Sequence, residues 1–242
     1  MSDILQYGNY LTFDGIQSNT YGVWISGTGT YNAPERDIEF IQIPGKSGDL
    51  IVDNGRFNNI EITYPAFISK NFDTRFDVFR ALMLSKIGYF TLEDTYHPNE
   101  FRKAAIVGGF EAETGPYNKS GRFDITFNCQ PQRYLKSGLT TVTFTANGTI
   151  SNPTGFVAKP SIRIYGYGTV KVGSVTITIA SNSLSYIDLD CDAMDAFYGA
   201  TNANQYITLS GSQFPVLNPG SNGITKSGNV TRVEITPRWF TL

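Results

Sequence analysis

Asn152-Pro153-Thr154-Gly155, Lys159-Pro160-Ser161-Ile162-Arg163-Ile164-Tyr165-Gly166 and Ile235-Thr236-Pro237-Arg238-Trp239 mark out the last ninety residues of this 242-residue chain. Short β-prone runs are cut there by Gly, Pro, Ser and Asn. From residue 138 onward helical periodicity is gone, and turn signals return about every eight to twelve residues, the spacing of a β-sandwich. Strands are expected at 139–145, 157–165, 168–180, 184–191, 204–209 and 229–236. Gly166-Tyr167-Gly168 reads as a β turn, since it lacks a third glycine at dinucleotide spacing and leads into a strand.

Working back toward the N-terminus, a boundary is expected near Gln130-Pro131-Gln132-Arg133, where Pro131 breaks a strand and composition shifts. This divides the chain into 1–133 and 134–242. The first part reads as strands around one helix. Tyr10-Leu11-Thr12-Phe13 is a strand that ends in a turn at Asp14-Gly15, and Tyr21-Gly22-Val23-Trp24-Ile25 is a second. The helix is expected from Phe72 to Ile87, with Asn71 or Asp73 as cap and Gly88 past its end. Phe72, Phe76, Phe79 and Met83 form one apolar stripe, with Leu82 on the same side. Strands resume at Tyr89–Glu93, Phe101–Phe110 and Arg122–Cys129.

Residues 38–64 form the clearest supersecondary unit. Ile38, Phe40 and Gln42 alternate with Glu39, Ile41 and Ile43, so both faces carry apolar surface. Pro44-Gly45-Lys46-Ser47-Gly48 forces a turn before Leu50-Ile51-Val52. Asp53-Asn54-Gly55 is a hairpin signal, with Arg56–Tyr64 returning as a long strand halted at Pro65. Such an arm needs a second sheet or a neighbouring subunit.

Composition narrows the function. Hydrophobic residues are 40% of the chain, enough for a conventional core, while charged residues are only 17% and the net charge is −2. A low-charge surface suits extensive protein contact, and no basic stripe exists to hold nucleic acid. Cys129 and Cys191 are too few and too far apart for a disulfide framework and read as buried free thiols. No signal peptide and no membrane-length apolar run are expected.

Reactive constellations are sparse. His97 is the single histidine, precedes Pro98, and has no nucleophile or carboxylate assigned to it by spacing. Asp188-Leu189-Asp190-Cys191-Asp192 has the look of a calcium loop, but Ala193 stands where the loop needs Gly and Gly199 where it needs Glu. A half-buried strand explains it better, with Asp188, Asp190 and Asp192 outward and Ile187, Leu189 and Cys191 inward. Glu93-Asp94 and Glu111/Glu113 read as solvated turn residues. Trp24 and Trp239 read as core or interface anchors before a sugar platform. No enzyme, metal site or cofactor is expected.

In order along the chain, Phe13-Asp14-Gly15-Ile16, Tyr21-Gly22-Val23, Ile43-Pro44-Gly45-Lys46-Ser47-Gly48-Asp49-Leu50, Asp53-Asn54-Gly55-Arg56-Phe57 and Phe127-Asn128-Cys129-Gln130-Pro131 also form a pattern. It continues through Asn152-Pro153-Thr154, Ala158-Lys159-Pro160, Ile187-Asp188, Phe214-Pro215, Asn218-Pro219-Gly220-Ser221-Asn222 and Pro237-Arg238-Trp239. The pattern resembles the distal tail (Dit) proteins of siphophages or prophages of Gram-positive bacteria. The resemblance implies a mainly β chain with one helix. Its N-terminal domain (1–133) would be a ring-forming β-sandwich or split-barrel-like unit with a belt hairpin. Its C-terminal domain (134–242) would be a galectin-like β-sandwich adaptor.

The resemblance further implies a virion structural protein, assembled in the host cytoplasm and placed at the tail tip or baseplate. There a homohexameric ring hub joins the tail-tube protein to the tail-associated spike or lysin protein and to receptor-binding or baseplate proteins. DNA passes through as transient cargo, and nothing inserts into a membrane. The belt role falls on Ile43, Pro44, Gly45, Lys46, Gly48, Leu50, Asp53, Asn54, Gly55, Arg56 and Phe57. The alternative is a carbohydrate-binding module for host cell-wall glycans in the C-terminal sandwich.

Overall fold

The computed structural model describes residues 8–211 and 213–242. The chain is mainly β with one α-helix among the described residues. It divides into two compact units, one holding the described residues through Arg133 together with Leu242, the other Tyr134–Thr241.

In the first unit, β1 (Leu11–Phe13), β2 (Ile16–Gln17), β3 (Val23–Ile25), β4 (Arg36–Ile41), β5 (Leu50–Phe57) and β6 (Ile60–Ile68) precede the helix α1 (Phe72–Leu84). β7 (Phe90–Asp94), β8 (Glu100–Ile106), β9 (Ala112–Thr114) and β10 (Gly121–Leu135) follow it. One antiparallel sheet runs β2-β1-β7-β8-β10-β6-β3, with β9 also paired to β10. Asp14 and Gly15 both take positive φ (50° and 76°), so β1 and β2 are joined by a type I′ turn, whose twist matches the strands it connects.

The sheet curls on itself. The Tyr10 carbonyl accepts from Thr95 N–H at 3.1 Å, while the adjacent Asn9 carbonyl accepts from Ile25 N–H at 2.9 Å on the far strand. One short segment thereby ties the two ends of the sheet into a split barrel. The helix packs into it through Phe72, Phe76, Phe79 and Met83, all buried. Phe76 stacks on Phe72 and meets Phe123 edge-on, both at 4.9 Å between ring centres. Such pairs add about 0.5–1.5 kcal/mol beyond area burial.

Several element boundaries differ from the sequence expectation. The helix ends at Leu84 instead of Ile87, and Asn71 stands at its start in the left-handed region without a side-chain cap. The strand expected at 56–64 and halted at Pro65 is instead β6, which runs straight through Pro65. Pro65 lacks only an N–H, and its carbonyl side faces Ser26, just past the end of β3, so few pairing groups are lost there. Likewise β10 continues through Pro131 to Leu135 instead of breaking.

The second unit contains β11 (Val142–Phe144), β12 (Gly148–Asn152), β13 (Ser161–Tyr165), β14 (Gly168–Val172), β15 (Val175–Ile179) and β16 (Ile187–Asp190). These are followed by β17 (Asp195–Tyr198), β18 (Thr201–Asn202), β19 (Ile207–Leu209), β20 (Gly220–Gly228), β21 (Arg232–Thr236) and β22 (Phe240–Thr241). Two antiparallel sheets, β11-β21-β13-β16-β17-β18 and β12-β20-β14-β15-β19, face each other as a β-sandwich. Ile162, Ile164, Val170, Val172, Ile177, Ile187, Leu189, Val233 and Ile235 fill the space between them. The span expected as one strand at 168–180 is two strands folded back at Gly173, whose φ is 57°. β20 was not expected; its Gly220-Ser221-Asn222-Gly223 start masks the inward alternation of Asn222 and Ile224.

The acidic strand is neutralised from its neighbours. Arg163 makes two hydrogen bonds to Asp188, at 2.6 and 2.9 Å, and its guanidinium lies over the Tyr186 ring at 4.2 Å. Arg238 does the same to Asp190 at 2.8 Å twice, and Lys159 reaches Asp192 at 3.1 Å. Ile187, Leu189 and Cys191 point into the core, and burial pushes the Cys191 thiol up to about 12. Trp239 is buried in the same core, so its face is not offered to a sugar.

The hydrogen bonds from Arg238 hold the Asp190 carboxyl at about 2, against an ordinary 3.8. A depressed carboxyl stabilises the fold above its unfolded pKa, and the gain is lost as pH falls through the folded one. The expected result is a contribution on the order of 2 kcal/mol at neutral pH, disappearing between about pH 4 and pH 2. Urea unfolding of wild type and Arg238→Leu across that window tests it: the difference between the two shrinks with acid, and a constant gap contradicts the assignment.

Candidate assembly site

β4 and β5 form a two-stranded sheet that pairs with no other strand among the described residues. The polypeptide reverses between them at Ile43-Pro44-Gly45-Lys46. Lys46 N–H donates to the Ile43 carbonyl at 3.1 Å, and Gly45 has φ of 79°. Proline at the second position and a positive-φ glycine at the third are what a type II turn requires. Asp53-Asn54-Gly55 is therefore not the hairpin turn expected from sequence. It lies inside β5, where the register slips opposite Arg36 and Ile38. Gly55 takes φ of 71° in this irregularity and donates its N–H to Asp53 Oδ1 at 2.8 Å.

Polar contacts stiffen the root of the arm. Arg36 bonds to Asp53 and stacks over Phe57 at 5.1 Å. Arg56 Nε donates to Asp37 Oδ2 at 2.6 Å, and Asn54 donates to the other Asp37 oxygen at 3.2 Å. These bonds, Arg56 first, hold the Asp37 carboxyl below the usual carboxylate range; the Gly55 N–H is the leading cause of the same shift at Asp53.

Beyond the root the arm is apolar and bare. Phe40 stands opposite Ile51 on one face, and Ile41 opposite Leu50 on the other. Phe40 and Ile51 are each 60% exposed, and Ile41, Ile43 and Leu50 are exposed as well. Large apolar side chains on both faces of this thin ribbon leave apolar surface in water. Fully covering one such side chain yields roughly 1.5–3 kcal/mol, and the ribbon has no second layer of its own.

Of the residues singled out in sequence, Ile43, Pro44, Gly45, Lys46 and Gly48 lie in the connecting loop. Leu50, Asp53, Asn54, Gly55, Arg56 and Phe57 lie on β5. That set omitted the most exposed apolar pair, Phe40 and Ile51. Its signal was present in the two-faced alternation of residues 38–43. Arg36 and Asp37, which hold the far strand by ion pairs, carry no local sequence signal.

His97 packs elsewhere in the first unit. Its Nδ1 lies 3.1 Å from Asp94 Oδ1, a carboxylate that spacing had not assigned to it. Cys129 and Cys191 are free and buried, and burial raises the Cys129 thiol to about 12, far from a reactive thiolate. Among the described residues no group of three or more His, Cys, Asp and Glu side chains is placed to hold a metal ion, and no helix is long and apolar enough to cross a membrane.

No protein-family model and no curated protein sequence matches this chain. Solved structures do. The chain is similar to the SPP1 Dit (gp 19.1) protein, described as a paradigm of the hub adsorption apparatus in phages infecting Gram-positive bacteria. The TM-score is 0.69 and the identity 14%, covering 97% of this chain and 99% of that one. It is also similar to a chain of the phage P2 baseplate in its activated conformation with Ca, with a TM-score of 0.53 and 12% identity over 94% of this chain and 96% of that one. The fold is the Dit fold, carried across nearly the whole length at a sequence identity where only architecture is shared.

Because the arm's apolar side chains touch little of their own chain, Phe40→Ser and Ile51→Ser should each change stability by less than about 0.5 kcal/mol in dilute solution. Phe79→Ala, in the buried helix stripe, should cost about 3–5 kcal/mol. Chemical denaturation of the three variants checks the contrast, and equal losses at arm and core would refute the bare-arm reading.

Proposed function

We propose that this protein is a structural component of a phage tail tip or baseplate. Six copies close into a ring hub that joins the tail tube to the tail-tip spike protein and the receptor-binding parts and leaves a central passage for DNA. In this reading residues 1–133 form the ring, residues 134–242 serve as a sandwich adaptor, and the virion is the working location. The partners are sister copies, the tail-tube protein, the spike or lysin protein and the baseplate or receptor-binding proteins. The role is mechanical, not enzymatic.

The observation that carries this reading is the β4–β5 arm, which is apolar on both faces and exposed along its length. An identical surface in each copy, pressed against a different surface of the next, makes a head-to-tail contact, and such contacts close into rings when the rotation per copy allows. The likeness of fold to SPP1 Dit, itself a hub protein, supports the same reading. Low charge adds to it: at 17% charged residues, little charge needs to be desolvated when large surfaces meet. Near-neutral net charge also suits a wall past which DNA slides without sticking.

The test is assembly. Native mass spectrometry and negative-stain microscopy of the purified chain should show a six-fold particle with a central hole. Deleting residues 45–56 should leave the C-terminal sandwich folded and the chain monomeric. A deletion variant that assembles like the parent would remove the arm from the mechanism. A parent that stays monomeric at high concentration and binds no tail-tube protein would remove the ring.

A further inference from the structure

The first unit also holds a small polar cavity lined by Thr30, in the segment that leads into the arm, and by side chains of β6, β7, β8 and β10. Its volume is about 10 Å³, room for one water. Four buried side-chain atoms of residues on its wall make no hydrogen bond within the protein: His97 Nε2, Glu100 Oε2, Arg102 Nη1 and Arg133 Nε. Arg102 is only 8% exposed, and burial lowers its pKa first of all. Leaving such groups unsatisfied is costly, most of all when they are charged.

The hydrogen-bonding character of the four atoms is fixed by their surroundings. Asp94 Oδ1 accepts the His97 backbone N–H at 2.8 Å and lies 3.1 Å from His97 Nδ1. Tyr64 OH holds the other Asp94 oxygen at 2.7 Å. With Asp94 Oδ1 against Nδ1, the tautomer that donates from Nδ1 leaves Nε2 as an acceptor. Arginine nitrogens only donate and the carboxylate oxygen only accepts. The orphan set is therefore two donors, on Arg102 and Arg133, and two acceptors, on Glu100 and His97.

We propose that this cavity is a dedicated site for one water molecule, bound by all four atoms. Water offers two lone pairs to the arginine N–H groups and two hydrogens to Glu100 and His97, so donors and acceptors match one for one. An anion would face both acceptors and a cation both donors. The 3.8 Å gap between Arg133 Nη1 and Glu100 Oε2 is too long for a hydrogen bond and is of the kind a water bridges. The bound water ties β8 and β10 to the loop of His97. On that loop rests the segment entering the arm, since Tyr31 meets the His97 ring edge-on at 5.0 Å. A Cβ on Gly29 would stand 2.6 Å from His97 Cε1, so that segment lies tight against the ring.

Crystals of the wild-type chain grown in bromide, with diffraction fine enough to order solvent and recorded at the bromine absorption edge, test the site. The expected result is one full-occupancy peak within hydrogen-bonding distance of all four atoms and without anomalous signal. A bromine signal at this position would make it an anion site and overturn the proposal. So would a dry cavity, or a peak bonded only to Glu100 and His97 as a cation would be.

Discussion

An apolar ribbon two strands wide cannot bury itself. Among the described residues, the larger sheets have a second layer behind them: the curled sheet has the helix and its own far wall, and each sheet of the sandwich has the other. β4 and β5 have none. Phe40 and Ile51 on one face and Ile41 and Leu50 on the other stay in water unless something outside the chain covers them. The ion pairs of Arg36 and Arg56 keep the ribbon in one shape at its root, so that what it presents is a formed surface and not a loose loop.

Elsewhere the strongest candidates for chemistry are paired or buried. The carboxylates of Asp188, Asp190 and Asp192, on β16 and just past it, are each matched by an arginine or lysine from elsewhere. Both thiols are buried, and their pKa values are raised by desolvation. The lone histidine is tied to Asp94. An exposed apolar arm with polar contacts at its root is suited to contact with another chain.

What could be read from the sequence was whatever local chemistry decides. The Phe72–Phe76–Phe79–Met83 stripe gave the helix and its buried face, and Asp14-Gly15 gave a turn that only positive φ allows. The Asp188–Asp192 alternation gave the inward apolar row, but Asp188, expected outward, is buried beneath Arg163. Where neighbours decide, local signals misled. Pro65 and Pro131 looked like strand breakers, yet β6 and β10 run through both. Asp53-Asn54-Gly55 has the chemistry of a hairpin turn, but the Pro44-Gly45 turn had already set the register, so the positive-φ glycine became an irregularity in β5. β20 was hidden because its glycines and serines pack by backbone pairing with β12 and β14 more than by side chains. The arm was legible as an apolar two-faced hairpin. Its most exposed pair, Phe40 and Ile51, emerged only once the cross-strand register was known.

Hydrogen exchange at the β4 and β5 amides, followed as a function of protein concentration, tests the claim that sister copies complete the arm. In dilute solution an isolated two-stranded ribbon should exchange quickly. On assembly the same amides should become protected while those of β6 and β16 stay unchanged. Arm amides that exchange at one rate across the whole concentration range would contradict the account.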